Sequence, residues 1–268
     1  MPDALEIPES ELSKRSWDEL TNSPVRTGDQ PSEILQGLFL SGHPARFTKK
    51  GLGISHPSRY LLAEYNVRLI VCCCAKPAAA PYCVERVEDG TVTTYTELEA
   101  FTAILATAPS DTTFVAKLNI AAVDDELFDL YPFFSTSSQI ISLAHHSLNL
   151  GVLVHCQMGV SRSAAILAAY LLARFAGEPC EPAPGAPPAP APPPPQDTDA
   201  GDFPDIDSLA LAEAEPAGPG VGLGDVLRAM RRRRSWTDPN LGFVRQLQRW
   251  EADLRRRAAA AAAAAAPA

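Results

Sequence analysis

The chain has 268 residues and a mass of 28.7 kDa, which leaves room for one domain of ordinary size and some additional segments. Hydrophobic residues make up 46% of the sequence and charged residues 21%, as in globular proteins, so disorder along the whole chain is excluded. The net charge of −9 argues against nucleic-acid binding through a basic surface.

Other features of the sequence predict the compartment. No apolar run approaches the roughly 20 residues of a membrane-spanning helix, and the N-terminus lacks the pattern of a secretory signal. Six cysteines, three of them consecutive at 72–74, do not form the pattern of a disulfide framework. We therefore expect a soluble protein without a membrane span, in the cytoplasm or also in the nucleus.

Predicted strands and helices alternate along the chain, which is typical of an α/β fold with a central, largely parallel sheet flanked by helices. The run Val67–Cys74 has no polar alternation after Arg68, as expected of a strand buried on both faces. In chain order, the patterns predict a strand over 33–41, a helix over 57–66, a strand over 67–74, a hairpin over 82–95 turning at Asp89-Gly90, a helix over 94–107, a strand over 114–123, a helix over 134–150 stopped by Gly151, a strand over 152–155 and a helix over 161–175. Helical spacing of apolar residues returns at 226–254.

A change of composition at about 176–222 indicates an insertion. This segment holds 13 of the 25 prolines, nine acidic residues and no Lys, Arg or His. Because it has few large apolar side chains to bury, we predict a disordered or extended segment, although Leu209 and Leu211 could nucleate a short partner-binding helix. The chain is thus divided into an N-terminal extension (1–31), one domain (32–255) interrupted by the acidic insertion, and an Ala-rich tail (256–268). We interpret Arg228 and the arginines at 231–234 as a solvated helix face, with docking of an acidic partner or of the insertion as the alternative.

The segment VHCQMGVSRS at 154–163 carries the chemistry. A strand ending at His155, a short loop and the start of a helix would gather backbone N–H groups into a cup for an anion. Gly159 permits an unusual backbone angle and the close approach of a ligand, and Arg162 can bind two phosphate oxygens at once. At a positive helix end the pKa of the Cys156 thiol falls, and a thiolate beneath a phosphate is an in-line nucleophile.

The sequence HCQMGVSRSA resembles the signature of the cysteine-based dual-specificity protein phosphatases, and its loop is similar to those of the MAP kinase phosphatase and slingshot groups. The resemblance covers about 32–176 and 223–255, and the chain departs from the family by its acidic insertion and by a long stretch at about 76–110. It implies a tyrosine-phosphatase-like fold and hydrolysis of phosphotyrosine and phosphoserine or phosphothreonine in proteins through a cysteinyl-phosphate. It implies no cofactor and no metal.

The resemblance also implies roles for individual residues. Cys156 is the nucleophile and Asp124 is the acid that protonates the leaving oxygen, with Asp125 as the alternative and Asp129 as a solvated helix cap. Ser163 would hydrogen-bond the leaving thiolate, and His155 would order the loop and tune Cys156. Substrate binding is assigned to the loop residues Gln157, Met158, Gly159, Val160, Ser161 and Arg162.

Two alternative functions remain beside the protein phosphatase. One is a phosphatase of a non-protein ester. The uncharged loop before Arg162 disfavours a phosphoinositide, and the sequence shows no carbohydrate-binding domain for a phosphoglucan and no basic groove for an RNA end. The other is a phosphoprotein-binding module without turnover, which the presence of Cys156, Arg162 and an acid argues against. His43, His56, His145 and His146 show no ligand spacing, so no metal site is predicted. Cys72 and Cys74 are interpreted as small core residues, with a protective disulfide to Cys156 on oxidation as the alternative.

Overall fold

A computed structural model of the chain describes residues 30–44, 57–109, 111, 113–175 and 221–265. Within these ranges it forms one sheet and six α-helices. The strands are β1 Ser32–Leu35, β2 Leu38–Ser41, β3 Val67–Cys72, β4 Tyr82–Arg86, β5 Val92–Tyr95, β6 Phe114–Asn119 and β7 Gly151–His155. The helices are α1 Pro57–Tyr65, α2 Leu98–Ala106, α3 Pro132–Ser142, α4 Arg162–Phe175, α5 Leu223–Arg233 and α6 Leu241–Ala265, and α3 continues into a π-helical turn over Leu143–Ser147.

The sheet is parallel in its centre and antiparallel at both edges. Its strand order is β1-β2-β7-β3-β6-β4-β5. Strands β2, β7, β3 and β6 are parallel neighbours, whereas β1 and the β4–β5 hairpin are added antiparallel. The predicted α/β fold with a central, largely parallel sheet flanked by helices is thereby confirmed.

Successive side chains of a strand point to opposite faces of the sheet, and in the central strands both faces are buried. In β7, Val152 and Val154 enter the main core with side chains of α2 to α6, whereas Leu153 enters a smaller cluster under α1. In β3, Val71 likewise lies in the main core and Ile70 in the smaller cluster. The absence of polar alternation in these two strands therefore reflects helices on both faces of the sheet.

Several predicted boundaries are wrong for local reasons. The single strand over 33–41 is two strands, β1 and β2, which reverse at Gly37 with a φ of +74°. The helix predicted to stop at Gly151 ends before Asn149, whose φ is +50°, and Gly151 is the first residue of β7. Residues 94–95 belong to β5, so the next helix begins only at Leu98. The hairpin turn at Asp89-Gly90 is confirmed, with Gly90 at a φ of +74°.

The C-terminal helices return to the main core after the predicted insertion. The indole Nε1 of Trp250 in α6 donates a hydrogen bond to Ala169 O in α4 at 3.0 Å. The Ala-rich residues 258–265 continue α6. The N-terminal extension up to residue 29 and the insertion between 176 and 220 lie outside the described residues. No helix in the described part of the chain combines the length and apolar character needed to cross a membrane.

Candidate active site

The predicted site residues gather at the carboxyl-terminal ends of the parallel strands. These ends lie on the same side of the sheet, and ligands bind there in open α/β sheets. Cys156 follows β7, Asp124 follows β6, Cys74 follows β3 and Gly42 follows β2. Four segments that are distant in sequence therefore meet where the parallel strands end.

The loop over 157–160 turns its carbonyl groups outward. Gln157 O accepts from His43 N at 3.2 Å and Val160 O accepts from Asp238 N at 2.9 Å. Between them, the carbonyls of Met158 and Gly159 accept from one buried arginine side chain, at 3.1 and 2.9 Å. In a trans peptide the N–H points away from the preceding C=O. The outward carbonyls therefore direct the following N–H groups into the loop, as the predicted anion cup requires.

The arginine that holds the loop is Arg234, which the run of arginines predicts to lie on a solvated face. That prediction is wrong for this residue, because Arg234 is only 3% exposed. Its backbone is extended at the end of α5, so the side chain turns inward, and its guanidinium also donates to Ser32 Oγ at 3.3 Å. Three of its neighbours, 231–233, are exposed as predicted.

We expect Arg234→Met to lower the free energy of unfolding by about 2–4 kcal/mol, because the buried carbonyl of Gly159 and the partly buried carbonyl of Met158 lose their charged donor. The activity of the site should fall with it, since the loop N–H groups lose their orientation. Urea denaturation of the two variants Arg234→Met and Arg232→Met compares a buried with an exposed arginine. Arg232→Met should lower the free energy of unfolding by less than about 0.5 kcal/mol. Equal losses of stability in the two variants would contradict a specific role for Arg234.

Gly159 allows the loop to pack against β2. Its φ is +70°, and a Cβ atom there would lie 2.4 Å from the carbonyl carbon and oxygen of Ser41. Neither the backbone angle nor the space accommodates a side chain. The predicted need for glycine at this position has a steric cause as well as a conformational one.

We expect Gly159→Ala to cost clearly more stability than Gly37→Ala, which is its matched control. Gly37 also has a positive φ of +74°, but nothing lies within 4 Å of the position that a Cβ atom would take there. The control should therefore lose only the roughly 1–2 kcal/mol of backbone strain, whereas Gly159→Ala adds a collision with backbone. Thermal unfolding measures the stability of both variants. Equal losses of stability would show that the backbone around residue 159 moves to accommodate a side chain at little cost.

The Cys156 sulfur lies at the base of the loop and is 1% exposed. It accepts hydrogen bonds from Gly159 N and from Ser163 Oγ, both at 3.2 Å. Burial is the largest single influence on this thiol and favours the neutral form. The Ser163 hydroxyl, the charge of Arg162 and the backbone donors together outweigh it, so the pKa of Cys156 lies below its ordinary value.

Ser163→Ala should shift the acidic limb of the pH–rate profile to higher pH. The hydroxyl stabilises the thiolate, so its removal raises the pKa of Cys156 and the reactive form is lost as the pH falls. A hydrogen bond to a charged acceptor contributes about 1.5 kcal/mol. Its loss should lower kcat/KM roughly tenfold at about pH 6 and by less at alkaline pH. Ser163→Thr retains a hydroxyl and serves as the comparison. A profile that drops equally at every pH would contradict this role.

The guanidinium of Arg162, the first residue of α4, contacts the segment that carries Asp124 and keeps one N–H without a hydrogen-bond partner in the described part of the chain. Nη1 donates to Ala122 O at 3.1 Å, and Nε lies 3.5 Å from Asp124 Oδ2. Within the described residues, this buried Nε has no hydrogen-bond partner. A buried N–H without a partner is costly, and a phosphate oxygen would satisfy it.

Asp124 is held beside the loop by residues from two other segments. Its Oδ1 accepts from Ser161 Oγ at 2.6 Å and from Asn240 Nδ2 at 3.1 Å. Its side chain is 41% exposed, in reach of both solvent and a bound ligand. The alternative acid Asp125 instead accepts from Leu127 N at 2.7 Å and stabilises its own turn. The prediction that Asp129 caps a helix is wrong, because the N-cap of α3 is Tyr131.

Asn240 is a second residue whose contribution the sequence pattern does not reveal. Its backbone N–H donates to Ser161 Oγ at 3.2 Å, and its Oδ1 accepts from Phe243 N in the first turn of α6. Ser161 is predicted to bind substrate, whereas its side chain joins Asp124 to Asn240. The Asn preceding a helical pattern is a sequence signal for an N-cap, but not for this contact with the acid.

Two further thiols lie on the other side of His155. His155 is 3% exposed, and its Nδ1 lies 3.3 Å from Cys156 O. Cys72 is the last residue of the adjacent strand β3, and its Sγ lies 4.0 Å from the Sγ of Cys74 in the following turn. The hydrogen bond from Cys74 lowers the pKa of Cys72, with burial opposing and His155 assisting the shift. Both thiols are partly buried and free, and their pairing with Cys156 on oxidation stays a prediction.

Taken together, the geometry can bind a tetrahedral dianion and attack it. The loop supplies inward N–H groups, Arg162 supplies a charged donor, and Cys156 supplies a sulfur with a lowered pKa. Asp124 lies beside Arg162 with its carboxylate partly exposed. Attack by sulfur and protonation of a leaving oxygen are therefore available within one site.

Comparisons with known proteins agree with this chemistry. Residues 88–177 match the family model for the dual specificity phosphatase catalytic domain. The chain is 29% identical over 137 residues to a protein phosphatase Slingshot homolog of Xenopus laevis, covering 51% of this chain and 13% of that protein. It is 28% identical over 153 residues to dual specificity protein phosphatase 1B of Arabidopsis thaliana, covering 57% and 64%. The chain thus spans less than two thirds of either relative.

Among solved structures, the crystal structure of human DUSP28 aligns with 87% of this chain and 99% of its own, at 20% identity and a TM-score of 0.46.

Proposed function

We propose that this chain, which belongs to the dual-specificity phosphatase family, removes phosphate from tyrosine and from serine or threonine side chains of proteins. The observation that carries the proposal is the Cys156 sulfur at the base of a loop whose N–H groups point inward, within the electrostatic influence of Arg162, whose Nε has no hydrogen-bond partner among the described residues. These groups complement a phosphate dianion and a nucleophile beneath it.

In the proposed reaction the Cys156 thiolate attacks phosphorus in line with the leaving oxygen. The S–P bond forms as the P–O bond breaks, and Asp124 transfers its proton to the departing oxygen. Water then attacks the cysteinyl-phosphate, Asp124 takes up one proton from this water, and the thiolate leaves with its electron pair. Ser163 and Gly159 donate to the sulfur at 3.2 Å and stabilise it as a leaving group.

Protein substrates are favoured by the surroundings of the site. Exposed apolar side chains adjoin the site residues in sequence: Val123 precedes Asp124, Met158 lies in the loop, and Leu241 follows Asn240. The loop has no lysine, and Asp125 and Glu126 extend the negative charge beside Asp124. Such a surface suits a peptide better than a polyanionic inositol phosphate. The free thiols of the described cysteines support the further proposal of a cytoplasmic or nuclear location.

The decisive experiment combines turnover with trapping of the intermediate. Wild-type protein is assayed for phosphate release from an aryl phosphate, from phosphotyrosine, phosphoserine and phosphothreonine peptides and from phosphoinositides. Rapid acid quench and peptide mass spectrometry should then find phosphate on Cys156. Turnover of phosphoinositides alone would favour a lipid phosphatase, and binding of phosphopeptides without any turnover would favour a binding module.

A further inference from the structure

We propose that Cys72, Cys74 and His155 form a binding site for a thiophilic divalent cation, and that zinc is the ion they bind best. The site lies where β3 and β7 end, beside the catalytic loop, which His155 also contacts through Cys156 O. It is an addition to the proposed phosphatase activity and does not depend on that activity. Two sulfurs and one imidazole nitrogen are a donor set that zinc binds commonly.

The first observation is the spacing of the ligand atoms. The two Sγ atoms and one ring nitrogen of His155 all lie within 4.8 Å of one another. The two sulfurs are 4.0 Å apart. Two thiolates at about 2.3 Å from a tetrahedral zinc ion are themselves about 3.8 Å apart. The thiols therefore need only a small adjustment to bind one ion.

The second observation is that the backbone already holds the ligands in place. In the parallel pairing of β3 and β7, Cys72 lies opposite His155. The next residue, Cys73, donates its N–H to His155 O at 2.7 Å, which continues the pairing beyond the strand. Cys73 itself is fully buried in the main core, whereas Cys74, in the turn after β3, brings its Sγ within 4.8 Å of Cys72 Sγ and of a ring nitrogen of His155. Little conformational freedom would be lost on binding an ion.

The third observation concerns the tautomer of His155. Its Nδ1 lies 3.3 Å from Cys156 O, to which it can donate a proton. Donation from Nδ1 leaves the lone pair on Nε2, and histidines that bind zinc usually donate their other nitrogen to a carbonyl or carboxylate in this way. The His43 ring packs edge-on against the His155 ring at a centroid distance of 5.3 Å and limits its rotation.

Charge and exposure also fit a cation. Two thiolates and a neutral imidazole balance the charge of a divalent ion, so the partly buried complex would be neutral. Cys72 and Cys74 are partly exposed, which gives an ion access from solvent. Three protein ligands leave a fourth position for water. Cys156 is not part of this group, because its sulfur is engaged by Gly159 and Ser163.

The test measures metal binding directly. The 268-residue chain is reduced with a phosphine, freed of metal, and titrated with Co²⁺ and then with Zn²⁺ against a chromophoric chelator. We expect one ion per chain, a thiolate-to-cobalt charge-transfer band, and displacement of cobalt by zinc. X-ray absorption of the zinc form should show two sulfur ligands at about 2.3 Å and nitrogen or oxygen for the rest. No retained ion, or fewer than two sulfurs, would overturn the site.

Variants identify the ligands. Cys72→Ser and Cys74→Ser should each weaken zinc binding by at least about 100-fold, since each removes a thiolate. Cys83→Ser, a change at another buried free cysteine, is the matched control and should bind as wild type does. Cys156→Ser should also retain the ion. If zinc is instead lost with Cys156→Ser and kept in the Cys72 and Cys74 variants, the ion binds the nucleophile and the proposal is wrong. Far-UV circular dichroism shows whether each variant is folded. Where a variant is not folded, the X-ray absorption result on the unsubstituted chain still tests the two sulfur ligands.

Discussion

Cys156→Ser is expected to reduce kcat on every phosphoester by about 10⁴-fold or more, while phosphopeptide binding changes by less than about threefold. A serine hydroxyl is far less acidic than a thiol, so the donors that stabilise the thiolate cannot supply a comparable nucleophile. Ser163 and Gly159 still donate to the position of the lost sulfur, and Arg162 retains its place. The anion cup should therefore persist without its reactive atom.

Phosphate release measures kcat, and fluorescence anisotropy of a labelled phosphopeptide measures Kd. Cys83→Ser controls for the removal of a buried thiol, because Cys83 is 7% exposed and lies outside the site. It should keep wild-type kcat. Retention of more than about a tenth of the activity by Cys156→Ser would exclude the cysteinyl-phosphate route.

Asp124→Asn is expected to lower kcat by about 10²–10³-fold on phosphoserine peptides and by far less on an aryl phosphate with an acidic leaving group. An alkoxide leaves only with a proton, whereas a nitrophenolate leaves without one. Asparagine is nearly isosteric and keeps an oxygen that can accept from Ser161 Oγ and Asn240 Nδ2, so the loop should retain its structure.

Asp125→Asn is the matched control for the acid, because it changes the adjacent carboxylate in the same way. Asp125 binds the backbone of its own turn through Leu127 N, and its replacement should alter kcat by less than about threefold. A larger loss for Asp125→Asn than for Asp124→Asn, confined to alkyl esters, would transfer the acid role to Asp125.

The fold and the chemistry of the loop could be predicted because their signals are local. Buried strands appear as apolar runs, as in Val67–Cys72, and the spacing from Cys156 to Arg162 lies within one loop. Asp124 could be assigned only through resemblance, since three carboxylates lie at 124, 125 and 129. The structure distinguishes them by their partners, of which Asn240 is 116 residues away.

Features that depend on tertiary contacts could not be predicted. Arg234 follows three exposed arginines, and nothing in its sequence shows that the chain straightens there and turns the guanidinium inward. The grouping of Cys72 and Cys74 with His155 depends on the register of β3 against β7, which joins residues more than 80 positions apart. Spacing along the sequence therefore predicts no metal ligands.

The dependence of the loop on Arg234, Asp238 and Asn240 has a consequence for fragments of this protein. All three residues follow the segment 176–220, whereas the sulfur and its arginine precede it. A polypeptide ending at residue 175 would keep the reactive atoms but lose the outside support for three loop carbonyls and for the acid. The candidate active site is thus assembled from both sides of this segment, and we expect neither part to be active alone.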